Sequence, residues 1–370
     1  MNNSKKHFSN FFLSVVLVFV AFTACTKEEP DPNQLLIDQM KQVTDSIITN
    51  TKVPGIVALV VDHEKGINWM YAAGVSDLVT KAPMDSNFTF RIASNTKTFT
   101  GTVLLQLVDE KKISLSDKLS KYFPEYNKSD SVTVKMLSNM TSGIFNYTGD
   151  LQWAQSMNTE PLKVWLPQQI VSLAISHDYY FSPGTGFYYS NTNTYLLGMI
   201  IEKVTGHTLE TEITNRITNP LGLTNTGFIS SGTALPGNHA RGYYFGEYFE
   251  NGDLTESIDL SNVWAAGGVY STPRELQKYA EKLVGGGFLS DTLQQRRLTD
   301  MVEIRPGSNY GLSLHKLGSW YGHNGSMWGF TSCMYHNIEK NRTVIIYFNC
   351  NLEASIEPDN LFFRFRDILD

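Results

Sequence analysis

Ser94 and Lys97 stand three residues apart in Ser94-Asn95-Thr96-Lys97. On a helix, positions i and i+3 share a face, so the lysine amine can reach the serine hydroxyl. A serine hydroxyl attacks carbonyls poorly until a base takes its proton. A lysine held in a dry pocket loses basicity and can act as that base. The pair points to acyl transfer with Ser94 as nucleophile. The same spacing recurs at Ser313-Leu314-His315-Lys316, and the residues downstream separate the two copies. Phe99, Val103 and Leu107, with Leu104 and Val108 alongside, mark an apolar helix face running to about Glu110. Leu317-Gly318-Ser319 starts no helix, and Ser313 reads as a strand residue.

Two more segments carry chemistry. Tyr189-Ser190-Asn191 lies between the tight turn Pro183-Gly184-Thr185-Gly186 and an apolar helix from Tyr195. A phenol beside a nucleophile can relay its proton. An amide two residues on can bond a substrate carbonyl or position the lysine. Tyr335-His336-Asn337 and Tyr347-Phe348-Asn349 repeat the pattern but read as strand ends. His323-Asn324-Gly325 ends a strand over 320–323, with glycine on both sides of the histidine. A histidine there, partly charged near neutral pH, suits a substrate carboxylate or a proton transfer.

The surrounding pattern must hold these segments together. Leu36, Met40, Val43 and Ile47 predict an amphipathic helix over 35–49. A buried strand is expected over 53–61 and a second strand over 67–73, with 88–92 leading extended into the serine. From 101 to about 222 the signals are mainly helical, with short helices expected at 134–140 and 167–176 and a central buried one at 195–204. Thr272 as N-cap and Pro273 at N1 mark a helix over 273–284. Segments 310–317, 320–323, 330–336 and 343–348 read as strands. The expectation is an α/β (α+β) fold. An antiparallel sheet flanked by helices is built from both chain ends (35–100 and 260–370), and a mostly helical region, 101–259, is inserted between them.

The N-terminus reads as a leader. Lys5 and Lys6 precede an apolar run over 11–22, then Thr23, Ala24 and Cys25. The run is short for a membrane span. Removal of 1–24 leaves 28 basic against 36 acidic residues, a balance that disfavours nucleic acid as a partner. Segment 25–34 reads as a charged tether, and 35–370 as the folded unit. Cys333 and Cys350 fall on two strands of one hairpin. Residue 333 would lie opposite about 346, so two buried free thiols are expected. No Cys/His cluster has zinc spacing, and no cofactor is expected.

Taken together, Ser94-x-x-Lys97, Tyr189-Ser190-Asn191 after Pro-Gly-x-Gly, and His323-x-Gly325 resemble the active-site serine penicillin-recognising family. That family includes class C β-lactamases, D-alanyl-D-alanine carboxypeptidases, D-amino-acid peptidases and related esterases. The resemblance covers about 35–351. It implies a β-lactamase/transpeptidase-like fold and an acyl-enzyme on Ser94. Lys97 and Tyr189 would share the proton relay, without the sequence deciding which is the base. It also implies that Asn191 contacts the substrate amide and that His323 and Gly325 line the opposite wall. The backbone N–H groups of Ser94 and Ser326 would form the oxyanion hole. Histidine where class C β-lactamases carry lysine favours the carboxypeptidase and D-peptidase branch. β-Lactamase stands second, esterase third, and a slow-turnover penicillin-binding sensor is the non-hydrolytic alternative. The substrate would be a small peptide, a β-lactam or an ester. Phe22-Thr23-Ala24-Cys25 resembles a bacterial lipobox. That implies cleavage before Cys25, lipidation of its thiol, and an exported envelope lipoprotein held at the membrane.

Overall fold

The computed structural model describes Met1 and residues 32–246, 252–352 and 357–370. The leader, Cys25 and most of the tether lie outside the described residues. An eight-stranded antiparallel sheet carries the fold. Its strands are β1 (Gly55–Asp62), β2 (Ile67–Gly74), β3 (Val302–Arg305), β4 (Ser308–Tyr310), β5 (His315–Leu317), β6 (Trp320–Met327), β7 (Phe330–Asn337) and β8 (Arg342–Phe348). Their spatial order is β2-β1-β8-β7-β6-β5-β4-β3. The two chain ends meet where β1 pairs with β8, from Ile56 opposite Phe348 to Asp62 opposite Arg342. A buried ion pair closes that seam, with Arg342 Nε 2.7 Å from Asp62 Oδ2. Arg342 also pairs with Asp370, Nη1 to Oδ1 at 2.9 Å, so it is the loss of Arg342 that would leave buried Asp62 without a counter-charge.

Every residue of β1 is buried because both faces of the sheet are covered. Side chains still alternate. Ile56, Ala58 and Val60 join the core beneath α1 (Pro32–Asn50) and the C-terminal helix. Val57, Leu59 and Val61 join the larger core on the other face. That core contains α2 (Thr96–Asp109), α3 (Asn191–Thr205), α4 (Pro273–Gly285) and α5 (Asp291–Thr299). Thr272 caps α4 as its pattern required, accepting from the Glu275 N–H, with Pro273 in the first turn. Nothing in the reading above anticipated α6 (Pro358–Leu369), whose Leu361, Phe362, Phe365 and Leu369 are buried against the sheet.

The expected hairpin forms, with Cys333 opposite Ile346. Cys333 and Cys350 are both buried and not bonded to each other. The inserted region carries helices Val134–Ser138, Leu151–Thr159 and Pro167–Ile175. It also holds the short strands Gly227–Phe228, Tyr243–Phe245 and Gly252–Asp253, so it is not purely helical. Two strand expectations need correction. Segment 310–317 is the end of β4, a turn and β5. Ser313 sits in that turn at φ 54°, not in a strand. It packs on α2, so close to Gly101 that a Cβ there would lie 2.3 Å from its own. The strand expected over 320–323 runs on to Met327, because its hairpin with β7 pairs Met327 with Phe330.

Candidate active site

Ser94 lies in the 3-10 turn Ala93–Asn95, which feeds α2. In such a turn residues i and i+3 eclipse. Lys97 is fully buried, with Nζ 3.0 Å from Ser94 Oγ and 3.0 Å from the Ala266 carbonyl. Burial with no carboxylate partner lowers the amine from 10.5 to about 7. Near neutral pH a large share of Lys97 is therefore the free amine.

The turn holding Ser94 is pressed against β6 and β7. Asn95 Nδ2 donates to Ser332 Oγ at 2.9 Å, and Ser332 Oγ donates to the Ile92 carbonyl at 3.0 Å. At Gly325 an added Cβ would lie 2.4 Å from the Ile92 oxygen and 3.0 Å from Ala93 Cβ. Only glycine permits that approach. Ala93, just before the nucleophile, adopts φ 49°, a left-handed conformation costly for a residue with a Cβ.

Ser190 precedes the first turn of α3, with its hydroxyl donating to the Phe145 carbonyl at 3.3 Å, and Tyr189 and Asn191 on either side of it border the cleft. The turn is stitched to a neighbouring loop. Thr192 Oγ1 donates to the Phe145 carbonyl at 2.7 Å, and the Asn191 N–H donates to Asn146 Oδ1 at 3.0 Å. Lys97 Nζ sits 5.0 Å from the centre of the Tyr189 ring. Desolvation raises the Tyr189 phenol, although the residue is half-buried and borders the cleft, and a hydrogen bond with Ser94 draws it part-way back. Of the two relay groups, the lysine is the one burial moves toward its basic form, and the phenol stays protonated.

His323 departs from its expected role. It is only 2 % exposed, and it does not line the cavity beside Ser94. Its Nε2 lies 3.1 Å from Tyr310 Oη, and its Nδ1 lies 2.5 Å from the Asn324 carbonyl. Burial and the nearby Lys97 lower its pKa to about 3. It is neutral at pH 7, with its ring 6.1 Å from that of Tyr189. It therefore backs the tyrosine and offers no charge to a substrate carboxylate.

Gly325 and Ser326 do border the cleft, on the stretch of β6 beyond the reach of β5, which pairs only with Trp320–Gly322. Met327 and Phe330 flank a two-residue turn and so form its hydrogen-bonded closing pair. Counting back from it, the alternation of an antiparallel ladder turns the N–H of Ser326 outward, away from β7.

The cleft has two lobes that meet at Ser94, Asn191 and Ser326. One, of about 520 Å³, is walled by Tyr147, Trp153, Tyr244, Val263 and Trp328. The other, of about 340 Å³, is bordered by Asn324, Thr331, Glu357 and Asp359, and none of its lining residues is a lysine or arginine. Sequence reasoning missed Trp153 and both acids. The i, i+1, i+4, i+8 spacing of Leu361, Phe362, Phe365 and Leu369 behind Pro358 was the signal for the helix that delivers Asp359. Of the aromatics near the motifs, Trp328 reaches the cleft. Tyr310 is buried beside His323, Trp320 packs against Phe362 on the far face of the sheet, and Tyr188 is exposed and packs on Tyr180. Ser313 and Lys316 contribute nothing here, as Lys316 rests over the Tyr321 ring.

The Beta-lactamase family profile matches residues 34–364. The chain belongs to that family. D-aminopeptidase of Brucella anthropi is 28% identical over 326 residues, covering 83% of this chain and 58% of that protein. Penicillin-binding protein 4* of Bacillus subtilis is 26% identical over 308 residues, 79% of this chain and 67% of that protein. The Staphylococcus aureus protein flp is 31% identical over 203 residues, and the match spans 39% of its length. The chain thus spans only part of these curated relatives. Among solved structures, a D-stereospecific amidohydrolase from Streptomyces sp. superposes with a TM-score of 0.77 at 31% identity, covering 85% of this chain and 94% of that one. D-amino acid amidase from Ochrobactrum anthropi SV3, complexed with D-phenylalanine, gives 0.81 at 27% identity, covering 90% and 98%. This chain shares the Beta-lactamase family with proteins named as a D-aminopeptidase and a penicillin-binding protein.

Proposed function

We propose that the protein hydrolyses amides or short peptides with a D-amino acid on the acyl side, through an acyl-enzyme on Ser94. The observation that carries this reading is the buried Lys97 amine, 3.0 Å from Ser94 Oγ and lowered to about 7. Neutral Lys97 takes the Ser94 proton as Oγ bonds to the substrate carbonyl carbon. The carbonyl electron pair moves onto oxygen, which the N–H groups of Ser94 and Ser326 stabilise. As the carbonyl re-forms, the C–N bond breaks and the Tyr189 phenol gives its proton to the departing amine. The Lys97 ammonium then returns a proton to Tyr189. Water repeats the sequence on the ester and frees Ser94. Asn191, which borders both lobes, holds the substrate amide.

The choice of D-amide over the alternatives rests on the relatives' chemistry and on charge. A D,D-carboxypeptidase or a β-lactamase binds a free carboxylate, and neutral, buried His323 offers it no cation. A panel of D-phenylalaninamide, a D-Ala-D-Ala peptide, nitrocefin and p-nitrophenyl butyrate decides it. D-Phenylalaninamide should have the highest kcat/KM. Faster turnover of nitrocefin, at or above about 10⁷ M⁻¹s⁻¹, would make the protein a β-lactamase instead.

We further propose export and lipid attachment at Cys25, on the strength of the basic, apolar and small-residue order of 1–25. Cys25→Ser should release active protein from membranes. Unchanged attachment would refute that proposal.

A further inference from the structure

The N–H of Ser326 lies on a stretch of β6 with no strand on its outer side, since β5 pairs only with Trp320–Gly322. Its direction therefore depends on what holds the tip of the β6–β7 hairpin. The ladder supplies one hold, with Ser326 opposite Thr331 beside the Trp328-Gly329 turn. The other comes from the short strand after β8, Cys350–Leu352, which pairs in parallel with Tyr243–Phe245. Two consecutive residues of that strand grip the same cross-strand pair. Thr331 Oγ1 donates to the Cys350 carbonyl at 3.0 Å, and Asn351 Nδ2 donates to Ser326 Oγ at 2.8 Å. The neighbouring chain leaves the turn no slack, because a Cβ on Gly329 would lie 2.6 Å from the Gly242 carbonyl carbon. Among the described residues, Ser326 Oγ is the one hydrogen-bond partner of the Asn351 side chain, whose Oδ1 has none.

We propose that Asn351 is a positioning residue for the oxyanion hole. Through Ser326 Oγ it aims the Ser326 N–H at the oxygen that gains charge in the transition state. This inference rests on the acyl-enzyme at Ser94 and on Ser326 as an oxyanion donor, and not on the choice of a D-amide. A side chain in a staggered rotamer passes a hold on its tip back to its own backbone. Donors to an oxyanion act through direction as well as distance, so an N–H free to turn stabilises less. The bond from Asn351 biases that N–H by the factor one ordinary hydrogen bond supplies, about fivefold. Deleting the donor outright would cost about a hundredfold or more, so Asn351 tunes the hole and does not make it. Asn351 also borders the aromatic lobe, and its effect through Ser326 has to be separated from an effect on that wall.

A double-mutant cycle on the second-order rate constant for fluorophosphonate labelling of Ser94 makes that separation. In this reaction Ser94 Oγ bonds to phosphorus, fluoride leaves with the P–F electron pair, and the hydroxyl proton passes to Lys97. The phosphoryl oxygen takes the place of the oxyanion. Ser326 is exposed and Asn351 half-buried, so neither substitution opens the core. Asn351→Ala and Ser326→Ala should each slow labelling about fivefold, although Ser326→Ala keeps the backbone N–H. The double variant should be no slower than either single one, because both remove the same bond. The pH at which labelling rises should not move, which places the loss outside Lys97. Labelling of Asn351→Ala within about 1.5-fold of wild type, with or without a lower urea midpoint, would make the bond purely structural and overturn the proposal. Additive losses, about twenty-fivefold in the double variant, would overturn it too, since Asn351 would then act on the lobe and not through Ser326. The D-amide reading fails separately. A substrate panel without D-amide turnover leaves this cycle intact, and a flat cycle leaves the order of substrates in the panel untouched.

Discussion

Replacing Lys97 by methionine should abolish turnover and yet make the protein harder to unfold near neutral pH. Lys97 is fully buried, and its amine falls from 10.5 to about 7 on folding. A lysine lowered in this way binds fewer protons folded than unfolded. It therefore opposes folding fully below the folded value, and the opposition fades as pH rises toward the unfolded one. From the two values the penalty is about 4 kcal/mol at pH 7 and about 2 kcal/mol at pH 9. Methionine keeps the apolar stem and removes the charge, at the cost of leaving the Ala266 carbonyl without its 3.0 Å donor. That loss is about 1–3 kcal/mol and does not depend on pH. Lys97→Met should thus be more stable than the wild type at pH 7 by about 1–3 kcal/mol, and the difference should shrink by about 2 kcal/mol at pH 9. Urea unfolding of both proteins at the two pH values measures it. A difference between them that does not change from pH 7 to pH 9 would refute the claim that Lys97 is buried with a lowered pKa.

Other expectations follow from the same geometry. Because Lys97 must be neutral to act, kcat/KM for p-nitrophenyl butyrate, which has no amine of its own to titrate, should rise with pH through about 7 and then level, and a rise centred near 9 or above would move the base elsewhere. Gly325→Ala should cut kcat/KM by about a hundredfold while the circular dichroism stays native, since a displacement of the serine turn of an ångström suffices for such a loss. Activity within about threefold of wild type would show that the turn can yield. Both Cys333 and Cys350 have their thiols raised by burial, to about 12 for Cys350, so Ellman's reagent should find neither before denaturation.

The chemistry was legible in the sequence where it is local. Ser94 and Lys97 lie within one turn of the chain, so the helix marked by Phe99, Val103 and Leu107 brings them together. The partner of Cys333 was legible because hairpin register depends only on the length of the turn, here the four residues 338–341 between the paired Asn337 and Arg342. The N-cap of α4 was legible for the same reason. Failures came where distant packing decides. His323 has a titratable side chain on a strand, and nothing nearby in sequence reveals that Tyr310 and Tyr189 enclose it and hold it neutral. The strand beyond it, Asn324-Gly325-Ser326-Met327, has weak strand propensity and is held extended by pairing with β7. Ser313 was expected in a strand because no helix starts after Lys316, yet it lies in the turn between β4 and β5, packed on Gly101 of α2. Asp359 reaches the cleft only because α6 folds back over the sheet.

Ser94 as the acylated nucleophile is the central claim. Treating the protein with a fluorophosphonate and sequencing the modified peptide by mass spectrometry tests it most directly. The adduct should map to Ser94 and be absent from Ser94→Ala. Equal labelling of Ser94→Ala, or an adduct on any other residue of the wild type, would contradict it.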